Sequence, residues 1–343
     1  MTTVAFLGTA HIHTSDFLKI AKGRTDIVIG GIWDHDAARG QKAADEVGTR
    51  FVPDVTAILA DSKISAVIVC SETARHHDLA LAAVAAKKDL FVEKPLGYSA
   101  TDAWVMADAV EEAGVKFQTG YFQGGLPAHR YLKDRIDEGV FGKITRVRAS
   151  NCHAGALGGW FDGEFGWMAD PKIAGCGGFG DMATHALDIL IWMFGDVASA
   201  TGALGFGTGR YENCEESGEA ILKFKSGVIG TLAAGWDDVA NPVSLIISGT
   251  EAHAAVISGQ VFITSKKLNS DGLNPVTALP APQPAGFEAF LEAVTGNEAM
   301  LVTAREAAYR NAVMDAIYAG ARSDTWATPT SRPRTVVQTD KLL

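Results

Sequence analysis

Residues 89–97 read Asp-Leu-Phe-Val-Glu-Lys-Pro-Leu-Gly, and this stretch decides the fold. Leu90-Phe91-Val92 is a short apolar run with strand character, and it delivers Glu93 and Lys94 to its C-terminal end before Pro95 stops it. In open α/β sheets, ligands sit at the carboxyl ends of the strands. A lysine at that place is either a solvated residue of a strand-ending turn or an acid/base group whose pKa is tuned by burial and by neighbouring charge.

Working outward, strand-like runs at 4–7, 27–33 and 66–70 alternate with helix-like segments at 14–22, 37–47 and 75–87. On the other side, 101–113 is helical and 115–119 is a further strand. Such alternation predicts a parallel sheet with right-handed crossovers. The pattern changes after Gly125. A helix is expected over 127–138, a strand over 144–152 and a long apolar helix over 181–194. Strand-like runs at 219–224, 228–236, 243–248 and 254–257 follow without intervening helices, with a hairpin turn at Lys225-Ser226-Gly227. Helical segments at 287–294 and 304–321 come after a proline-marked loop at 275–284. The expected fold class is therefore α/β, with a doubly wound parallel sheet followed by an open, mostly antiparallel one.

Length and composition narrow the function classes. The chain has 343 residues, about right for two domains, and 47% of them are apolar against 20% charged. A net charge of −10 argues against an extended nucleic-acid surface. Four scattered cysteines form no CxxC pair, so thiols in a reducing compartment are expected. The start, Met-Thr-Thr-Val-Ala, runs straight into a strand, and no apolar stretch reaches spanning length, so the expectation is a cytoplasmic protein without a signal peptide or membrane segment.

After the first strand comes Gly8-Thr9-Ala10-His11-Ile12-His13, where a dinucleotide fold carries G-x-G-x-x-G. Gly8 holds the tight-turn position, Ala10 replaces the second glycine and His13 the third. His13 places a side chain at a helix start, where anions are favoured. Asp34 closes the second strand, near the place, ~20 residues past the glycine loop, where an acid accepts from the ribose hydroxyls. A carboxylate there repels the 2′-phosphate of NADP, so NAD is the expected cofactor. The alternative for Asp34 is a helix N-cap, and for the turn, a strand–helix junction without a nucleotide.

Residues 175–188 form a second constellation, Gly-Cys-Gly-Gly-Phe-Gly-Asp-Met-Ala-Thr-His-Ala-Leu-Asp. Its glycines are expected to make a flexible loop ahead of a helix starting near Asp181. Asp181 and His185 lie one turn apart on one face, so the aspartate can orient the ring or stabilise its charged form. A buried histidine beside an N-cap aspartate is the structural alternative. A metal held by Asp181, His185 and His153 is another, with no HExxH or cysteine cluster to support it.

Taken together and in order, these residues resemble the glucose–fructose oxidoreductase, inositol dehydrogenase and rhizopine-catabolism (Gfo/Idh/MocA) family over nearly the whole chain. Glu93-Lys94-Pro95 resembles the family's EKP motif, and Gly177-Gly178 through Asp181 and His185 its glycine-rich D-x-x-x-H segment. Gly120-Tyr121 resembles the entry into the second domain, the stretch 138–144 the G-x-x-G-x-[IV] bend, and His76 a histidine that follows the strand before. The resemblance implies an N-terminal Rossmann domain over 1–122 and a substrate-binding α/β domain over 123–343, whose final helix packs back on the first. It implies homodimers or homotetramers, a frequently cis Lys94-Pro95 bond, and Lys94, Asp181 and His185 converging on a sugar or polyol beside the nicotinamide. Cofactor contacts are then expected from Gly8, Ala10, His11, Ile12, Asp34, Ser71, Glu72, His76, Glu93 and Lys94. The chain departs from the family at Gly8–His13, at Glu72, where proline is common, and at Phe122–Gly125, which lacks a basic residue.

The expected reaction is hydride transfer between a secondary carbinol and NAD. Either His185 or Lys94 is the base, and Lys94 also serves as a stabiliser of developing charge. Tyr121, Asn151, His153, Trp160, Phe161, Trp167 and Trp236 are candidates for the substrate walls, since aromatic faces pack on sugar C–H surfaces, although each also suits ordinary core packing. The competing functions are redox-assisted elimination of a glycoside with retained NAD, a non-catalytic dinucleotide sensor and a metal-dependent lyase.

Overall fold

A computed structural model describes residues 1–331; positions 332–343 of the expected second domain lie outside the described residues. Strands β1 (Thr2–Leu7), β2 (Ile27–Trp33), β3 (Ala66–Val69), β4 (Asp89–Val92) and β5 (Phe117–Thr119) form a parallel sheet in the order β2-β1-β3-β4-β5. Helices α1 (Thr14–Gly23), α2 (Ala37–Val47), α3 (Val55–Ala60), α4 (His76–Ala85) and α5 (Ala100–Ala113) lie in the connections. In β1, Val4 and Phe6 enter one core, with Ile68, Phe91 and α1, whereas Ala5 and Leu7 enter another, with Val67, Val69, Val92 and α5. Burial on both faces is why these strands read as continuous apolar runs rather than alternating ones.

The rest of the chain adds α6 (Pro127–Asp137), α7 (Pro171–Ala174), α8 (Gly178–Phe194), α9 (Phe287–Thr295) and α10 (Ala304–Ser323) to a second sheet. That sheet comprises β6 (Ile144–Cys152), β7 (Val197–Gly205), β8 (Ser217–Phe224), β9 (Ile229–Gly235), β10 (Val243–Gly249), β11 (Ala252–Ile257), β12 (Gln260–Ser265) and β13 (Ser270–Asp271). Its order is β13-β12-β11-β10-β6-β9-β8-β7, antiparallel except for the parallel pair β6–β9. The apolar side of α8 covers one face of the sheet, where Leu187 and Leu190 meet Leu222, Leu232 and Ile247.

Several segments depart from the expected pattern. Helices α3 and α7 and strands β12 and β13 were not among the expected elements, nor was β7, whose Val-Ala-Ser-Ala-Thr-Gly-Ala-Leu-Gly sequence lacks a strand's bulky alternation. Pairing with β8 and cover from Ile317 of α10, against Gly202, hold β7 in place. The glycines before Asp181 do not form a flexible loop; Gly178 and Gly180 belong to the first turn of α8. A Cβ on Gly178 would sit 2.5 Å from the carbonyl oxygen of Glu216, and one on Gly180 would meet Cys176 and the hydroxyl of Tyr318. Close packing, not freedom of φ, is what these glycines supply.

The chain end returns to the first sheet. Phe287, Phe290 and Leu291 of α9 join the core of Phe6 and Phe91, and Ala304, Ala307, Ala308 and Ala312 of α10 pack in the core with α5. Val313, Met314 and Ile317 of the same helix enter the core of the second sheet, so α10 is shared by both halves. Within it, the Arg310 guanidinium donates to Asp188 of α8 at 2.8 Å, both residues being buried. Burial pushes the Asp188 carboxyl up and Arg310 only partly offsets this, so the pair depends on its partner. Arg310→Leu should therefore cost about 3–5 kcal/mol by leaving a buried carboxylate unmatched, measured as a lowered denaturant midpoint at neutral pH. A change within ~0.5 kcal/mol, the range of an ordinary surface substitution, would contradict this account.

Candidate active site

Lys94 follows β4, and its peptide bond to Pro95 is cis. Its ammonium reaches Asp181 in the first turn of α8, with Nζ donating to Oδ1 at 2.5 Å. The other oxygen, Oδ2, accepts from the indole Nε1 of Trp236 at 2.9 Å, and Trp236 is fully buried and stacked on Phe161 with ring centroids 3.9 Å apart. Burial works against both charges. The charges of Asp181 and Glu93 nevertheless raise the Lys94 pKa, and Lys94 holds the Asp181 carboxyl well below the usual carboxylate range. Each ion exists because of its partner.

His185 lies one turn along α8 from Asp181, 5% exposed, and its Nδ1 is buried without a hydrogen-bond partner. Burial pushes its pKa down to about 3; the charge on Lys94 adds to this and that on Asp181 opposes it. The ring stands edge-on to Tyr121 and Phe122, at centroid distances of 6.1 and 5.4 Å. Asp181 thus hydrogen-bonds Lys94 and Trp236 and acts on His185 through charge alone. The Tyr121 hydroxyl is paired with Thr184 Oγ1 at 2.7 Å, which leaves its ring as the wall.

Behind Lys94, the Glu93 carboxylate is fully buried and accepts from the Lys94 backbone N–H at 2.6 Å and from His13 Nδ1 at 2.9 Å. Burial alone would raise its pKa, but the facing rings of His11 and His13, with Lys94, hold it well below the usual range. His11 Nδ1 accepts from the His13 backbone N–H at 3.3 Å, so the ring carries its hydrogen on Nε2, and burial pushes its pKa down to about 3. His11, His13 and Glu93 are also, among the described residues, the set whose possible metal-ligating atoms all lie within 4.8 Å of one another. The metal set of Asp181, His185 and His153 weighed from the sequence is not such a cluster.

The remaining expected cofactor residues line the ends of β1, β2 and β3. Gly8 has φ +87° and would bring a Cβ within 2.5 Å of Ser71 Cβ, so only glycine fits between these strand ends. Ala10 and Ser71 are buried and Ile12 half-buried beside them. Asp34 accepts from Thr9 N and Oγ1 at 2.7 Å and from Asp36 N at 2.9 Å, and it chelates Arg39 at 2.8 and 2.9 Å. Its carboxylate is therefore saturated by the protein itself. Glu72 accepts from the same Arg39 at 2.9 Å. His76 is fully buried, with Nε2 3.2 Å from Ser71 O and Nδ1 3.2 Å from Pro95 O, and it braces the two loops.

Four candidate wall residues take further positions. Trp167 Nε1 donates to Ala10 O at 3.0 Å, so this indole ties the second half to the Gly8 turn. Asn151 Nδ2 donates to Met182 O at 2.9 Å. His153 Nδ1 accepts from Gly155 N at 2.9 Å, and its ring stacks on the half-exposed Trp160 at 4.8 Å. Sequence reasoning missed Arg39, whose placement one turn past Asp34 was the available signal, and Glu215, which accepts from Gly177 N at 2.6 Å and fixes the start of α8.

Residues 2–121 match an oxidoreductase family with an NAD-binding Rossmann fold (GFO_IDH_MocA), and residues 129–255 match the GFO/IDH/MocA C-terminal domain. The 1,5-anhydro-D-fructose reductase of Ensifer adhaerens is 28% identical over 76% of this chain and 79% of its own. The scyllo-inositol 2-dehydrogenase (NAD(+)) of Bacillus subtilis is 28% identical over 65% of this chain and 63% of its own. A solved levoglucosan dehydrogenase in complex with NADH and levoglucosan has the same fold, with a TM-score of 0.82 at 18% identity over 96% of this chain and 100% of that one.

Five imidazoles depressed chiefly by burial, those of His11, His76, His129, His153 and His185, give the protein an acid limit, and His11 and His185 are shifted to about 3. Above pH ~6.5 the His11 and His185 side chains are neutral in folded and unfolded chains alike. Below it the unfolded chain binds protons that the folded rings accept only near pH 3. Stability is thus present above the unfolded pKa and lost as pH falls; Glu93 and Asp181, held low, extend the loss below ~4. The thermal midpoint should fall steadily from pH 7 to pH 4, and less steeply in His185→Phe. A flat profile in the wild type would refute the assignment.

Proposed function

Because the chain belongs to the GFO/IDH/MocA family of oxidoreductases, with its NAD-binding Rossmann fold, we propose that it moves a hydride between a secondary hydroxyl of a sugar, glycoside or cyclitol and NAD. Lys94, Asp181 and His185 form the acid–base set. The observation that carries this reading is the pairing of opposite states in one buried place. Lys94 is kept protonated by Asp181, while His185 is neutral with a bare Nδ1 beside them.

The residues present suit the cofactor. The Gly8 turn leads into the N-terminus of α1, where backbone N–H groups and the helix dipole favour a pyrophosphate. The Asp34–Arg39–Glu72 cluster lies at the strand ends where the adenosine ribose belongs. When bound, NAD supplies the hydride acceptor. Lys94 donates to the substrate oxygen and stabilises its developing negative charge. His185 takes the hydroxyl proton, and Asp181 offsets the charge the ring then carries. Tyr121 and Phe122 hold the ring edge-on and exclude water from it. His153 with Trp160 forms the outer wall for the C–H face of a polyol.

In this reading residues 1–122 hold the cofactor and 123–343 the substrate, and copies associate through the second sheet as homodimers or homotetramers in the cytoplasm. No helix among the described residues is long and apolar enough to cross a membrane, and all four cysteines are free thiols.

The test is NAD reduction against a panel of inositols, aldoses, anhydrosugars and glycosides. Lys94→Ala and His185→Ala should each lower kcat by about 10²–10⁴-fold, the range for a positioned proton-transfer group, with NAD still bound. Undiminished turnover in both variants would remove the acid–base assignment, and failure of the wild type to bind any dinucleotide would remove the dehydrogenase reading.

A further inference from the structure

The carboxylate expected to receive the ribose, Asp34, is already engaged by Thr9, Asp36 and Arg39. Two of these donors belong to the backbone of the turns after β1 and β2, so Asp34 has a building role in the cofactor turn. Arg39 is the cation at this edge, with a side chain 17% exposed. An arginine so placed is the group that receives the 2′-phosphate of NADP. Here it is held on its other side by Glu72, which is 7% exposed and stands at the end of β3. The second oxygen of Glu72, Oε2, is buried without a hydrogen bond. It lies 3.5 Å from Nε of the half-exposed Arg75 and 3.6 Å from His35 Nδ1.

Resting on the reading of this edge as the adenosine site, we propose that Glu72 is a determinant of NAD over NADP selection and acts by neutralising Arg39. The trio of Asp34, Arg39 and Glu72 carries one net negative charge. A 2′-phosphate, bringing a further charge of about −1.5 to −2, meets two carboxylates and an arginine whose inward N–H groups are occupied. With Glu72 uncharged, the trio is neutral and Nη2 of Arg39 is released on that side, while the bonds that Asp34 makes to Thr9 and Asp36 stay in place.

The experiment measures the dissociation constants of NAD and NADP by tryptophan fluorescence and by calorimetry on the intact protein. Glu72→Gln should lower the ratio of Kd for NADP to Kd for NAD by about tenfold or more, the scale of removing one close like charge. Glu72→Asp should keep the wild-type preference, and Glu72→Gln with Arg39→Leu should restore the original ratio. Glu72→Ala provides the same charge removal if the glutamine variant is unstable. An unchanged ratio in the charge-removing variants would overturn the proposal, as would a gain for NADP that survives loss of Arg39. Wild-type protein that binds neither dinucleotide would instead refute the cofactor reading on which the proposal rests.

Discussion

The contact between Lys94 and Asp181 is the constraint around which both halves of the molecule are arranged. The lysine stands just past the end of β4 and the aspartate in the first turn of α8, so one buried ion pair joins the parallel sheet to the second one. Desolvating either charge alone would cost several kcal/mol. The cost is met because each ion has a second support. Trp236 donates to the far oxygen of Asp181, and Glu93 adds its charge behind Lys94. The ammonium is thereby fixed as a donor while the neighbouring imidazole is left neutral.

Packing holds the two halves in register for that contact. Helix α10 contributes alanines to one core and Val313, Met314 and Ile317 to the other. Its side chains also bind the Lys-Pro turn, through Asn311 Nδ2 to Gly97 O at 2.8 Å and Asp315 Oδ2 to Ala100 N at 2.9 Å. Trp167 reaches from the second half to the Ala10 carbonyl. The Gly8 turn, Lys94 and Trp167 are therefore mechanically linked, and a shift in one is felt by the others.

The unusual dinucleotide turn fits into the same electrostatic scheme. Where the common fingerprint has glycine, this chain has Ala10 and His13, and the rings of His11 and His13 face the buried Glu93. The loss of backbone freedom is matched by a side-chain donor, His13 Nδ1 at 2.9 Å, for a carboxylate that water cannot reach. The glycines kept elsewhere answer a steric need. Gly8 is pressed on Ser71, and Gly177 and Gly178 on Glu215 and Trp236.

Much of this was legible in the order of residues. Local periodicity, strand-ending prolines and the spacing of Asp181 and His185 depend on chain geometry within a few residues, so the parallel sheet, the antiparallel successor and the presentation of Lys94 could be read directly. β7 could not, because its small residues are held by β8 and α10 rather than by their own pattern. The partners were equally out of reach. Nothing near Asp181 announces the indole of Trp236, Arg39 near Asp34 hints at one partner but not that Thr9 and Asp36 fill its other sites, and the glycine run reads alike whether it flexes or packs. Partner choice and protonation state follow from which distant atoms share a dry volume. Only the tertiary structure decides that, because the energy of a buried charge is set by its surroundings in space and not by its neighbours along the chain.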